Sequence, residues 1–269
     1  MNEILQYSLL GLIQGITEPI PVSSSGHLLI FKKLFQMNAL NDLNFEIIVN
    51  FGSLLAIIFL YRKTIWKIIK GFFMYIKTKE EKYKSNFKYT LLIIIGTIPA
   101  GILGIIFKDE IEKLSSNIKL IGIALLITSI ALFIVRKLDG KKNNKEITWI
   151  DAIKIGLFQA VALIPGISRS GSTIVGGLLS DLKKDTAVTF SFMLYIPISL
   201  ATMVLGVKDL IDTPNINSLF LPYGIALIIA TIATYFSLKL FINIVKKNKL
   251  IYFVIYCLVV GTLTLLFLK

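Results

Sequence analysis

A single cysteine, Cys257, lies inside the last apolar run, so an intrachain disulfide and a cysteine metal cage are both excluded. It reads as a small buried hydrophobe. A single histidine, His27, rules out chemistry that needs two imidazoles. Acids are scarce, 16 against 29 Lys and Arg, for a net charge of +13. That excess would suit a nucleic-acid partner, but the cations fall in short loops between apolar runs, where membrane orientation accounts for them, and no nucleic acid is expected. The opening MNEILQYSLLGLIQG lacks a basic n-region and a small-residue cleavage site, so the N-terminus is expected to be retained. No separate soluble domain is visible in the 269 residues, which read as one membrane domain.

Apolar residues make up 55% of the chain. Six runs approach the roughly 20 residues that cross a bilayer: Phe45–Tyr61, Thr90–Phe107, Ile118–Val135, Ala187–Val207, Tyr223–Val245 and Leu250–Leu268. Two further apolar segments, Ile4–Phe35 and Ile150–Ser180, are broken by Gly, Pro and Ser into halves too short to cross alone. Such segments are typical of re-entrant hairpins, whose exposed backbone must be buried in protein or line a wet cavity. The expected fold is an all-α polytopic membrane protein with six transmembrane helices and two re-entrant helical hairpins.

Charge sets the sidedness. The loop Arg62–Lys88 holds nine basic residues against two acids, and Arg136–Lys145 is again basic, so both are expected in the cytoplasm. KDEIEKLSSN and KDLIDTPNINS are mixed or acidic and are expected outside, with both termini.

The broken segments align without a gap. GLIQGITEPIPVSSSGH from Gly11 and GLFQAVALIPGISRSGS from Gly156 stand 145 residues apart, and Gly11, Leu12, Gln14, Ser23, Ser25 and Gly26 recur as Gly156, Leu157, Gln159, Ser168, Ser170 and Gly171. The register persists where FEIIVNFGSLLA from Phe45 falls over FSFMLYIPISLA from Phe190. The first copy leads into a cytoplasmic basic loop and the second into an outside one, so the halves, about 1–135 and 150–269, read as inverted repeats.

The repeats diverge at their reactive positions. Glu18 faces Leu163, Ser24 faces Arg169, and His27 faces Ser172. A carboxylate or guanidinium at a bilayer centre costs at least about 2.5–3.5 kcal/mol, so each needs a partner or a water-filled cavity. Glu18 and Arg169 could be a structural ion pair and His27 a bridge between backbone groups, but ionisable residues at membrane depth are functional by default. PVSSSGH and PGISRSGST read as loops opening helices whose N-termini point at one anion, with Arg169 as a forked phosphate ligand.

These residues carry a resemblance. QGITE followed by PVSSSGH, with PGISRSGST in the second half, resembles the bacterial undecaprenyl-diphosphatase family, also called the bacitracin-resistance protein family. Gln14 and Glu18 fit its (Glu/Gln)-x-x-x-Glu motif; Pro165, Gly166, Ser168, Arg169, Ser170 and Thr173 fit its Pro-Gly-x-Ser-Arg-Ser-x-x-Thr motif. The similarity runs through TIPAGILG at Thr97–Gly104 and covers essentially the whole chain. It implies hydrolysis of undecaprenyl diphosphate to undecaprenyl phosphate and inorganic phosphate, recycling the cell-wall lipid carrier and conferring bacitracin resistance. It also implies a site on the outer face of the bacterial cytoplasmic membrane and a divalent cation. Position 14 is Gln where many members have Glu, which removes one carboxylate from the metal's surroundings.

On that resemblance the catalytic set is Glu18, Ser24, His27 and Arg169. Glu18 is assigned to Mg²⁺ or Ca²⁺, hard cations that take oxygen ligands. Gln14, Ser23, Ser25, Ser168, Ser170 and Thr173 are expected to bind substrate. Ser24 attacks with His27 as its base, or His27 activates water directly. Glu46 is left open between an interfacial charge and a second metal ligand. SSGH and SR superficially resemble the signature of the type-2 phosphatidic acid phosphatases, but that mechanism needs two histidines. The competing function is a polyprenyl-phosphate transporter or flippase in the same inverted-repeat cavity. The expected partners are the polyprenyl diphosphate and membrane lipids; the oligomeric state, with a homodimer as one option, is open.

Overall fold

The computed structural model describes residues 3–37, 43–211 and 216–268, and among these the regular structure is helical throughout. Eleven helices follow in order: α1 Glu3–Thr17, α2 Ser24–Leu34, α3 Leu43–Thr78, α4 Glu81–Ile106, α5 Lys108–Ser115, α6 Ile118–Val135, α7 Trp149–Val161, α8 Arg169–Leu179, α9 Lys184–Ile211, α10 Ile216–Lys246 and α11 Ile251–Phe267. Five of them, α3, α4, α6, α9 and α10, are long and apolar enough to cross a membrane. The sixth expected span, α11, is apolar but has 17 residues, about 25 Å at 1.5 Å per residue, at the short end of spanning length. The chain is a multi-pass membrane protein.

Each broken segment forms two short helices around a turn. α1 ends at Thr17 because Glu18 precedes Pro19, which disfavours helical backbone, and Pro21 follows two residues later. α2 restarts where the Ser23 hydroxyl accepts the Gly26 N–H. In the second broken segment α7 opens with a capping box between Thr148 and Asp151. α8 begins where the Ser168 hydroxyl accepts the Gly171 N–H at 3.1 Å. These four helices have 15, 11, 13 and 11 residues, so none exceeds about 23 Å or spans the roughly 30 Å hydrocarbon core alone.

The hairpins dock on long helices of the opposite half of the chain. α1 packs along α10 and α7 along α4. Both contacts need backbone-to-backbone approach: a Cβ on Gly11 would lie 2.6 Å from the Ala226 carbonyl oxygen, and one on Gly156 2.5 Å from that of Gly96. The turns of the two hairpins then meet, with Gly171 against Pro21 and Gly26 against Gly166. Around them the core is built from Phe190, Phe192 and Leu194 of α9, Leu125 and Leu132 of α6, and Cys257 of α11. Cys257 is fully buried.

One expectation needs correction. The basic stretch Arg62–Lys88 is not an open loop: α3 continues to Thr78 and α4 begins at Glu81, leaving only Lys79 and Glu80 as the turn. Stacking of Phe72 and Phe87, 5.3 Å between ring centres, holds the two extensions together. The tip of KDLIDTPNINS, 212–215, lies outside the described residues.

Candidate active site

The meeting point of the hairpin turns is an open cavity of about 110 Å³. Its walls carry Gln14 and Glu18 from the first hairpin, Ser23, Ser24 and Ser25 at the start of α2, and Ser168, Arg169 and Ser170 at the start of α8. α3 adds Glu46 and Asn50.

Glu18 is the hub. It sits in the turn after α1, 8% exposed, where Gln14 one helical turn earlier donates from Nε2 to its Oε2 at 2.9 Å. The Ser24 hydroxyl donates to the same carboxylate oxygen. Arg169 Nη2 stands 3.6 Å from Oε1. The carboxylate thus bridges the N-termini of α2 and α8, which supply amide N–H groups and the positive end of a helix dipole to one space. The hairpins are fastened there by Ser170 Oγ, which donates to the Ile20 carbonyl at 3.3 Å.

The backbone is specialised at both turns. Gly166 has φ +89°, and a Cβ there would stand 2.8 Å from that of Ala124, so the turn before α8 requires glycine. Ser23 has φ 67° although it carries a side chain. Such left-handed backbone costs of order 1–3 kcal/mol and must be held by its surroundings. His27 supplies part of that hold: its Nδ1 is 2.7 Å from the Ser23 carbonyl oxygen and its Nε2 2.7 Å from the Tyr256 hydroxyl. A carbonyl only accepts, so Nδ1 carries the proton and Nε2 accepts from Tyr256.

Two candidate residues therefore do not line the cavity. His27 is 2% exposed with both ring nitrogens engaged away from Ser24, whose proton points to Glu18 instead. Of the two arrangements expected from sequence, His27 as the base of Ser24 or as the activator of water, the first is not matched by this hydrogen bonding, since α11 brings Tyr256 against the ring. Thr173 is 1% exposed, and its hydroxyl bonds the Arg169 carbonyl and Ser191 of α9. It braces α8 rather than facing the cavity.

Sequence reasoning missed Asn50 and left Glu46 open. Glu46 Oε1 pairs at 2.9 Å with Lys32, which is 1% exposed, so a buried cation fixes this carboxylate at the cavity rim. It also missed Tyr195 and Ser199 of α9, which contact Arg169.

A family model described as bacitracin resistance protein BacA matches residues 7–263. The chain belongs to that family. Among its relatives, undecaprenyl-diphosphatase 1 of Bacillus cereus is 48% identical over 265 residues, covering 98% of both chains. Undecaprenyl-diphosphatase of Oceanobacillus iheyensis is 46% identical over 267 residues, covering 98% of this chain and 97% of its own. Undecaprenyl-diphosphatase 1 of Halalkalibacterium halodurans is 44% identical over 262 residues, covering 97% and 95%. In this member of the family, the residues of both motifs that line the cavity are Gln14, Glu18, Ser168, Arg169 and Ser170.

Proposed function

We propose that this protein is a membrane phosphatase that hydrolyses undecaprenyl diphosphate to undecaprenyl phosphate and inorganic phosphate, recycling a cell-wall lipid carrier and conferring bacitracin resistance. The observation that carries the reading is the hydrogen bond from Ser24 to Glu18 beside Arg169 in one open cavity. Near-full-length similarity to proteins named undecaprenyl-diphosphatase supports the same activity and substrate.

The chemistry follows from charge and proton placement. Arg169 and the N-termini of α2 and α8 would bind the diphosphate, since phosphoryl transfer depends mainly on positioning and charge stabilisation. Ser24 Oγ attacks the terminal phosphorus, its proton passes to Glu18, and the bond to the bridging oxygen breaks. The leaving group is a phosphate monoester, whose second pKa is near about 6, so it departs as an anion without a general acid. Glu18 then gives that proton to solvent, and the regenerated carboxylate takes a proton from the attacking water and returns it to Ser24 Oγ as the Oγ–P bond breaks and phosphate leaves. His27 holds the Ser23 turn and so the direction of Ser24.

The donors on the wall suit a hard divalent cation. Among the described residues no cluster of three acids, histidines or cysteines could hold a metal alone. Glu18, with Glu46, offers carboxylate oxygens that would hold Mg²⁺ or Ca²⁺ together with diphosphate oxygens and water, the ligand set Mg²⁺ favours. When bound, the ion would neutralise charge on the diphosphate.

The reciprocal docking of α1 on α10 and α7 on α4 supports reading the halves, about 1–135 and 150–269, as inverted repeats. The cation-rich α3–α4 turn then faces the cytoplasm and the site opens to the outer side of the bacterial cytoplasmic membrane. The same architecture serves transporters, so the test must separate the two. Purified protein in detergent, without a gradient or second compartment, is expected to release phosphate from a polyprenyl diphosphate. A preparation that binds the lipid and releases none would make the carrier reading the better one.

A further inference from the structure

Arg169 is held by three residues that neither motif contains. Its guanidinium carbon lies 4.7 Å from the centre of the Tyr195 ring, and its Nη1 donates to Ser199 Oγ at 3.2 Å. Ser199 Oγ donates to Asn50 Oδ1 at 3.2 Å, and the Tyr195 hydroxyl donates to the same oxygen at 2.6 Å. Tyr195 is 4% and Ser199 3% exposed, so these bonds are sheltered from water. Proton directions agree along the chain: guanidinium to hydroxyl, hydroxyl to amide oxygen, phenol to the same oxygen.

We propose that Tyr195, Ser199 and Asn50 form a positioning clamp that keeps Arg169 aimed at the diphosphate when Glu18 lets it go. The clamp rests on the phosphatase reading above. Glu18 is the counter-charge of Arg169. An incoming diphosphate competes for the same guanidinium, and a long side chain released from its partner would otherwise regain rotamer freedom. A guanidinium lying against an aromatic face and tied to Ser199 through Nη1 leaves its Nε–Nη2 edge for bidentate contact, which a flexible, unseated Arg would have to order on binding.

The clamp also extends the asymmetry of the repeats. Asn50 and Tyr195 occupy the same register, 145 residues apart, and they meet each other directly. Arg169 and Ser24 are likewise paired in register. One member of the Asn50–Tyr195 pair is an aromatic platform and the other an amide, so only the second-half position, which carries Arg, receives a seat.

The test is a double-mutant cycle on the full-length protein in detergent. Hydrolysis of farnesyl diphosphate gives kcat/KM, and titration with methylenediphosphonate, a non-hydrolysable diphosphate, gives Kd. Tyr195→Leu is expected to lower kcat/KM and weaken Kd by about tenfold, the scale of a partly desolvated cation–π contact. Tyr195→Phe keeps the ring and should stay within about threefold of the parent, since one hydrogen bond to Asn50 is lost. In an Arg169→Ala background, Tyr195→Leu should change Kd by less than about twofold, because its effect acts through Arg169. An undiminished tenfold effect in that background would overturn the clamp, as would a folded Tyr195→Leu protein with parental kcat/KM and Kd. If Tyr195→Leu does not fold, Ser199→Ala takes its place in the same cycle under the same criterion. A parent protein that binds methylenediphosphonate but hydrolyses nothing would defeat the phosphatase reading alone, since the Kd cycle still scores the clamp.

Discussion

Replacing Glu18 by Gln separates two roles of one carboxylate. Gln keeps the shape and can still meet Gln14 and Ser24, but it removes the charge beside Arg169 and the acceptor basic enough to take the Ser24 proton. At 3.6 Å a unit pair is worth about 1.2 kcal/mol in the dielectric of water and about 4.6 kcal/mol at an effective constant near 20. The Arg169 side chain is 27% exposed, so solvent screening places the pair near the lower figure, about 1–2 kcal/mol. Freed from that competition, Arg169 should bind methylenediphosphonate about 5- to 30-fold more tightly in EDTA, where the cation that Glu18 would help hold plays no part. Turnover should move the other way, falling by about 10²–10⁴-fold, the loss that follows removal of a general base. Phosphate release from farnesyl diphosphate and a binding titration on the same preparation measure both. Turnover within about tenfold of the parent would refute Glu18 as the base. Recovery of rate with excess Mg²⁺ would leave holding the cation as the one role of Glu18.

Four further outcomes are expected. Ser24→Ala should reduce hydrolysis by at least about 10³-fold while leaving diphosphate binding within a few-fold, and rapid acid quench of the parent should trap phosphate on Ser24 if the hydroxyl is the nucleophile. His27→Gln should slow turnover by tenfold or more by releasing the strained Ser23 turn, with the shape of the pH–rate profile kept; loss of its acidic limb would instead make His27 a titrating base. Glu46→Gln leaves the buried Lys32 ammonium without its counter-charge, a loss of about 1–3 kcal/mol because the Glu46 end of the pair is 35% exposed, and Lys32→Met with Glu46→Gln should regain most of the lost thermal stability; equal melting temperatures for all three proteins would show the pair to be inert. A cysteine introduced at Ser116 should be labelled from outside intact cells and one at Asn143 spared, and the opposite pattern would invert the sidedness.

Much of this was legible in the chain because it is encoded locally. Hydropathy marked the long helices, since a lipid-facing span must be apolar over its whole length. Gly, Pro and Ser marked the two turns, since backbone that leaves the helix near Pro19 and Gly166 needs those residues nearby. The same letters marked the N-caps Ser23 and Ser168. Glu18 and Arg169 stood out because a charge at membrane depth must be explained by a partner, and each is the other's.

The tertiary structure decided which proton goes where. Ser24 and His27 are three residues apart and looked like a nucleophile and its base, yet Ser24 turns to Glu18 and His27 to Tyr256, 229 residues away. The α3–α4 extension, Asn50, Tyr195 and Ser199 gave no local signal of a role: an exposed run of Lys reads as a loop, and an amide, a phenol or a hydroxyl inside an apolar helix reads as a polar exception. Their roles come from how α3, α9 and α11 pack against the hairpins. Hydrogen-bond partnership depends on ångström-scale approach between helices, and hydropathy and turn signals carry information only along one.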